Sequence, residues 1–198
     1  MGIKLEYPAG ATPLDPDDAQ GLTASHITNQ GQLNEWELLN VREGEQWAFG
    51  KKHEEILSIE FMEALHRRMF GNTWAWAGSI RTKEIRPIGA APGNIAVELK
   101  KLCDDVRAQL KDGTWSVQEI AARFHHRLVF IHPFPNGNGR FARTLTDLLL
   151  TREGKDRFSW GAELNVDGEA RARYIGALHA ADAKDYRPLF ELLGAAHG

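Results

Sequence analysis

The chain has 198 residues, a length typical of one domain with a peripheral segment, of which 42% are hydrophobic and 26% charged. Its formal net charge of −3 argues against a general nucleic-acid binder, because neutralising phosphates needs a basic face. A single cysteine, Cys103, excludes an internal disulfide and a cysteine-rich metal site. Its position on the apolar face of a predicted helix indicates a small core residue.

The N-terminus lacks the basic stretch followed by an apolar stretch that marks a signal peptide. No apolar run approaches the ~18 residues that a membrane span requires. We therefore expect a cytoplasmic protein that binds neither a membrane nor nucleic acid directly.

The first third of the chain changes from loop-like to helical composition. Residues 8 to 21, PAGATPLDPDDAQG, are rich in Pro, Gly and Asp, which predicts an extended lead-in. Helical signals dominate from Asn34 onward, so we place an N-terminal extended or regulatory segment at residues 1–33 and the main domain at 34–198. In HEEILSIEFMEALHRRMFG, apolar residues recur at three- and four-residue spacing, and Gly71 is placed to end that helix.

The helical pattern breaks after this helix. The weak alternation of IRTKEIRPI favours a short β-hairpin or an extended flap over residues 82–88, which Pro87 restricts to an edge. We expect Trp74 and Trp76 to pack at the base of this flap.

Helices account for the rest of the chain. Periodicity returns from Ile95 to Leu110, and Ser116 with Glu119 has the spacing of a capping box. The helix that follows should end before Pro133, because the residue before a proline avoids helical geometry. Another helix follows the loop, and two more lie near the C-terminus. The predicted fold class is all-α with one short extended element.

The loop HPFPNGNGR, residues 132–140, interrupts two apolar helices with polar and glycine-rich sequence. Gly137 and Gly139 permit positive φ and close approach of a ligand, and consecutive amides in such a turn form a nest for anions. The following helix, expected to start near Arg140, adds unpaired N–H groups. Arg140 and Arg143 lie three apart and can grip phosphate oxygens from one face. These features predict a cradle for a polyphosphate.

Three further loop residues complete the predicted chemistry. His132, at the rim of the cradle, has an ordinary pKa near neutrality and can accept a proton from an attacking hydroxyl. Phe134, flanked by prolines, is interpreted as an apolar anchor. Asn136 offers a carbonyl oxygen, a weak ligand for Mg²⁺. Together these groups suit the movement of a phosphate-bearing group onto a hydroxyl.

Two simpler interpretations stay open at this point. Arg143 could pair with Asp147 one turn on, an exposed ion pair of little consequence. His125 and His126 could join His132 in a metal site, but no acidic ligand lies among them, so structural histidines are favoured.

HPFPNGNGR, extended by FAR to Arg143, closely resembles the signature of the Fic (Fic/Doc) family, His-Pro-Phe-x-Asp/Glu-Gly-Asn-Gly-Arg-x-x-Arg. WAGSIRT, the flap and RARYIGALHAADAKDYRPL are also Fic-like, so the resemblance covers about residues 34 to 195. HITNQGQLNEWE is similar to the bacterial "mobile mystery protein B" branch. The resemblance implies a Fic-like helical bundle with a short β-hairpin or extended flap next to the motif loop.

The resemblance implies a protein adenylyltransferase, which moves AMP from ATP to a Ser, Thr or Tyr hydroxyl of another protein and releases pyrophosphate. His132 is then the general base, Asn136 the position that holds Mg²⁺, and Arg140 a catalytic residue. The nucleotide and its phosphates would be bound by Phe134, Asn136, Gly137, Asn138, Gly139, Arg140 and Arg143, with the two arginines at the β/γ end. The target would dock as an added strand on flap residues Thr82, Ile85, Arg86 and Ile88.

One departure from the signature concerns Asn136, which stands where the family has an acidic residue. A neutral amide adds no charge to balance Mg²⁺, so we expect weakened or atypical catalysis. Gly139 is not the lysine of the phosphotransferring Doc branch, which favours AMP transfer. Phosphate transfer, AMP removal and a non-catalytic nucleotide-binding module remain alternatives.

A second departure concerns control. Many family members carry an inhibitory helix with Ser/Thr-x-x-x-Glu-Gly/Asn, whose Glu pairs with the second motif arginine. Here Ser25 is followed by Asn29 and Thr28 by Gln32, so no Glu is in place. We therefore expect a toxin held by a separate antitoxin-like partner, with Glu35 or Glu37 in another register as the alternative. Family members often self-associate, so a homo-oligomer is also expected.

Overall fold

The computed structural model describes residues 15–50, 53–85, 89–113, 115–160 and 168–195. Within these ranges lie eight α-helices, with a 3₁₀ turn (Pro92–Asn94) before the fourth. The helices are α1 (Pro16–Ala19), α2 (Gln30–Gly50), α3 (Ile59–Phe70), α4 (Ile95–Asp112), α5 (Val117–Ile131), α6 (Asn138–Arg152), α7 (Gly168–Asp182) and α8 (Arg187–Leu193). The all-α class predicted from the sequence is confirmed.

Helix ends follow the local signals in the sequence. Ser58 caps α3 by accepting from Phe61 N at 3.1 Å, and the helix ends at Gly71. Ser116 caps α5 in the same way, through Glu119 N at 3.1 Å. The start of α6 lies at Asn138, two residues before the expected position, because Gly137 has φ 76° and ends the loop.

The core is built around α5 and α6, which pack on each other. α4 and α8 cover α5, while α2 and α3 lie against α6. Phe124 of α5 and Phe141 of α6 are fully buried, and each such side chain contributes about 1.5–3 kcal/mol of burial free energy. The polar loop between Ile131 and Asn138 is therefore held at both ends by buried helices.

The lead-in and the flap differ in detail from the expectations. The lead-in contains one helical turn, α1, because the Asp15 side chain accepts from Asp17 N at 2.9 Å. Residues 21–23 then run beside 73–75, with an antiparallel bridge between Leu22 and Trp74. Residues 80–85 are non-helical and carry no strand. Arg86, Pro87 and Ile88 lie outside the described residues.

No helix in the described ranges combines the length and the apolarity that crossing a bilayer requires. α2 begins at Gln30, four residues before the boundary placed at residue 34, which stays a prediction.

Candidate active site

His132 lies at the junction of α5 and the motif loop. It is the residue that ends α5, its φ is 53°, and its N–H donates to Leu128 O at 3.2 Å. A positive φ is uncommon for a residue with a Cβ, so the surrounding contacts must hold it there. Only 7% of the residue is exposed.

The environment of His132 fixes its protonation. Burial lowers its pKa to about 4, opposed by the hydrogen bond with Val129 O and assisted by the charge of Arg81. Nδ1 lies 3.3 Å from that carbonyl oxygen, which can only accept, so Nδ1 carries the proton. The neutral ring therefore keeps Nε2 as an unprotonated acceptor, the form that a general base needs.

Phe134 anchors the loop in the core, as the sequence predicts. It is fully buried and stacks on the His66 ring at a centroid distance of 3.8 Å. His66 Nδ1 accepts from Gly78 N at 2.9 Å, so Nε2 carries the proton and donates to Asn136 O at 3.0 Å. Burial lowers the pKa of His66 to about 3, which keeps this arrangement at neutral pH.

The two loop asparagines are turned onto the backbone. Asn138 Oδ1 accepts from Phe134 N at 2.9 Å and its Nδ2 donates to Phe134 O at 2.7 Å. The predicted phosphate-binding role of Asn138 is thereby left to its N–H group, while its side chain braces the loop. Asn136 Oδ1 accepts from Gly137 N at 2.6 Å.

In the motif loop most backbone carbonyl oxygens are occupied by hydrogen bonds, whereas N–H groups at the start of α6 are available. Within residues 131–136, the carbonyl oxygens of Ile131, His132, Pro133, Phe134 and Asn136 accept hydrogen bonds from donors around the loop. The N–H groups of the first turn of α6 have no acceptor within the helix. The loop therefore presents donors where the helix begins, which suits an anion.

Gly137 and Gly139 have different roles. A Cβ at Gly137 would lie 2.6 Å from the Phe70 ring, and the φ of 76° is itself unfavourable for other residues. A Cβ at Gly139 would lie 3.7 Å from Arg143 Nη1. The Arg143 guanidinium therefore lies over the first turn of α6.

Arg140 and Arg143 are held by different neighbours. Arg140 Nη1 lies 2.8 Å from Glu37 Oε2, and its guanidinium lies over the Phe70 ring. Burial lowers the pKa of Arg143, and the neighbouring Tyr174 hydroxyl opposes that effect. Asp147 is not the partner of Arg143, because its carboxylate accepts from Trp160 Nε1 and Phe158 N. The simple ion pair considered for Arg143 is thus wrong.

The other two histidines have structural partners. His125 Nε2 lies 2.7 Å from the Tyr174 hydroxyl, and His126 Nε2 lies 2.9 Å from Asp182 Oδ1. Trp74 and Trp76 stack on each other at 5.3 Å. Trp74 is buried, with its Nε1 donating to Glu37, and packing of the two tryptophans at the base of the flap stays a prediction.

Flap residues Thr82 and Ile85 are exposed and half-buried, respectively, whereas Arg86 and Ile88 fall outside the described residues. Arg81 begins this segment and is buried, with hydrogen bonds to the motif loop. The sequence reasoning missed Arg81 and His66. Only the placement of His66 on the apolar face of α3 could have indicated a buried role.

The donor set for a divalent cation is poor. Within the described ranges, no group of three or more His, Cys, Asp or Glu side chains could hold a metal ion. The expected ligand, Asn136 Oδ1, faces the Gly137 N–H. The protein side chains do not fit a Mg²⁺ cage, so any Mg²⁺ would depend on nucleotide phosphates and water.

The sequence of this chain is similar to that of one known protein family. Residues 56–150 match the model of the Fic/DOC family. The protein adenylyltransferases fic-1 of Caenorhabditis briggsae and Caenorhabditis elegans are 36% and 35% identical to this chain over 141 and 144 residues. These matches cover 70% of this chain but 26% of each relative, so the chain spans about a quarter of their length.

Solved structures share the fold. Fic-1 of C. elegans superposes with a TM-score of 0.63 at 30% identity, covering 79% of this chain and 48% of that one. The N-terminal Fic domain of a Bartonella quintana effector, solved with ADP bound, gives a TM-score of 0.70 at 20% identity, covering 88% and 89%. BepC of Bartonella tribocorum, solved with AMPPNP bound, gives 0.69 at 20% identity, covering 87% and 89%.

Proposed function

Since this chain belongs to the Fic/DOC family, we propose that it transfers AMP from ATP to a Ser, Thr or Tyr hydroxyl of another protein. The relatives named protein adenylyltransferases support this reaction, and the neighbours solved with ADP and AMPPNP support a nucleotide substrate. The observation that carries the proposal is a neutral, buried His132 at one end of a loop whose other end begins α6, the helix that carries Arg140 and Arg143.

The proposed reaction uses these groups in order. The target hydroxyl oxygen attacks the α-phosphorus while His132 Nε2 accepts its proton. The bond between the α-phosphorus and the oxygen bridging to the β-phosphorus breaks, and pyrophosphate leaves. Arg140, Arg143 and the N–H groups of Asn138 and Gly139 at the start of α6 stabilise the negative charge on the phosphates.

Asn136 supports a second candidate, a nucleotide-binding module with little or no transfer. Its amide carries no charge, and its oxygen already accepts from Gly137 N. In either case Mg²⁺ would be held mainly by the nucleotide phosphates.

Labelled ATP separates the candidates. We expect label from the α-phosphorus, but not from the γ-phosphorus, to appear on proteins of a cell lysate. Transfer of the γ label would indicate a phosphotransferase. ATP binding without either transfer would indicate the module. His132→Ala should abolish labelling while ATP binding persists, and continued labelling would refute its role as base.

The proposal also covers the inhibition of the protein, its location and its oligomeric state. A toxin restrained by an antitoxin-like partner remains the expected mode, and Glu37 on Arg140 supports an internal contribution. A cytoplasmic location and a homo-oligomer stay predictions, and so does the "mobile mystery protein B" branch.

A further inference from the structure

The guanidinium of Arg81 is surrounded by backbone carbonyls. Only 4% of the residue is exposed. Nε donates to His132 O at 2.7 Å, and Nη1 donates to Lys83 O at 2.7 Å. Nη2 donates to Ala90 O and, at 3.4 Å, to Ile131 O. All three nitrogen atoms of the side chain are therefore used.

These four carbonyls belong to two parts of the molecule. Ile131 and His132 form the junction of α5 with the motif loop. Lys83 and Ala90 lie at the start and just beyond the end of the flap. Two backbone hydrogen bonds join the same two parts of the molecule. Arg81 N donates to Pro133 O at 2.9 Å, and Ala90 N donates to Ile131 O at 3.1 Å. One buried side chain thus connects the flap with the candidate base.

The connection is specific in shape. Gly89 has φ 107°, and a Cβ there would lie 2.6 Å from Arg81 Nη2. The chain beyond the flap therefore lies against the guanidinium. A lysine has a single ammonium group in place of the planar fork, so it cannot reach all four carbonyls in this arrangement.

The contact with His132 bears on a strained backbone. His132 has φ 53°, a conformation that a residue with a Cβ adopts only when its neighbours hold it. Arg81 Nε donates to the carbonyl oxygen of His132, and the backbone N–H of Arg81 donates to the carbonyl oxygen of Pro133. The direction of the His132 ring follows from that backbone.

We propose that Arg81 is a positioning residue for AMP transfer: it fixes the backbone of His132 and both ends of the flap against one another. A target segment docked on the flap then presents its hydroxyl at a set distance from the His132 ring. The catalytic meaning rests on the proposed function, whereas the coupling of flap and His132 does not.

The test compares Arg81→Lys with Arg107→Lys. Arg107 also donates to a backbone carbonyl, Leu57 O at 2.6 Å, but on α4 and away from the loop. We expect Arg81→Lys to bind ATP with a Kd within about twofold of the parent while transfer of α-labelled AMP to lysate proteins falls by tenfold to about a hundredfold. Arg107→Lys should keep both. Unchanged transfer in Arg81→Lys, or a loss that only follows the loss in Tm, would overturn the proposal.

A spectroscopic measurement is independent of turnover. With histidine isotopically labelled at its backbone nitrogen and at both ring nitrogens, the His132 backbone and ring resonances should move in Arg81→Lys and stay in place in Arg107→Lys. Unmoved His132 resonances would contradict the coupling. If the parent protein binds ATP but transfers nothing, the proposed function fails, and these resonances still decide the role of Arg81.

Should Arg81→Lys fail to fold, Gly89→Ala retains the arginine and displaces its Nη2. It should change the same His132 resonances and lower transfer, and a parent-like spectrum would count against the proposal.

Discussion

Glu37 Oε2 lies 2.8 Å from Arg140 Nη1, so a carboxylate of α2 neutralises one of the two arginines of the motif. Its other oxygen accepts from Trp74 Nε1 at 2.6 Å, which holds the carboxylate in place. An incoming phosphate must compete with it for Arg140.

Glu37→Gln should therefore tighten ATP binding. The amide keeps an oxygen for Trp74 Nε1 but removes the charge that competes with phosphate. If the competition is worth about 1 kcal/mol, the Kd falls about fivefold. Titration calorimetry measures this, with Glu35→Gln as the control because Glu35 is exposed on the same helix. An unchanged Kd would show that Arg140 is not restrained by Glu37.

Replacement of the two loop glycines by alanine should give different results. Gly137→Ala forces a positive φ on alanine, at about 1–2 kcal/mol, and places a Cβ 2.6 Å from Phe70. Gly139→Ala meets no close contact and lies in a helix, where alanine is favoured by up to about 1 kcal/mol. Urea unfolding should therefore show a loss only for Gly137→Ala. Equal losses would refute the structural distinction between the two positions.

Acid should destabilise the protein through its buried histidines. Burial lowers the pKa of His66 and His125 to about 3 and that of His132 to about 4. In the unfolded chain each protonates near pH 6.5, so below that value the unfolded state binds more protons and stability falls as pH falls. Each histidine contributes a slope of up to about 1.4 kcal/mol per pH unit. Unfolding measured from pH 7 to 5 should show this slope, and His66→Gln should make it shallower.

Asp147 should act in the opposite direction. Burial raises its pKa to about 6, although Trp160 and Phe158 donate to it. Between pH 4 and 6 the folded state therefore binds more protons at this site, and stability gains as pH falls. Asp147→Asn should steepen the acid loss of the parent protein. A shallower slope would reverse the sign assigned to this carboxyl.

Asn136→Asp should raise the contribution of Mg²⁺. A carboxylate at this position adds a negative charge and a hard oxygen ligand, in place of an amide that faces Gly137 N. We expect tighter Mg²⁺-dependent ATP binding and faster AMP transfer, each lost when EDTA is added. Unchanged rate and unchanged metal dependence would reject a limiting role for Asn136.

Sequence reasoning reached the helices and the loop because their signals are local. Ser116, Gly71 and Gly137 act on their own neighbours along the chain, and apolar spacing predicts α3 to α6. His66 and Arg81 were missed because they act on loop residues 70 and about 50 positions away. Nothing in the local sequence of Arg81 distinguishes it from a solvent-facing residue, and for His66 only its place on the apolar face of α3 indicates burial. The nearness of Tyr174 to Arg143 could not be predicted for the same reason, since Tyr174 lies on α7.

The orientation of the loop carbonyls has a consequence for ligand choice. Because five carbonyls between residues 131 and 136 are already occupied, the loop has little left with which to attract a cation. The main chain of the loop therefore favours an anion over a cation. Of the loop's own side chains, Asn138 takes part by donating to Phe134 O. His66 and Arg81 act from outside the motif, so loss of either would free the carbonyl oxygen of Asn136 or of His132 and weaken this preference without any change in the loop sequence.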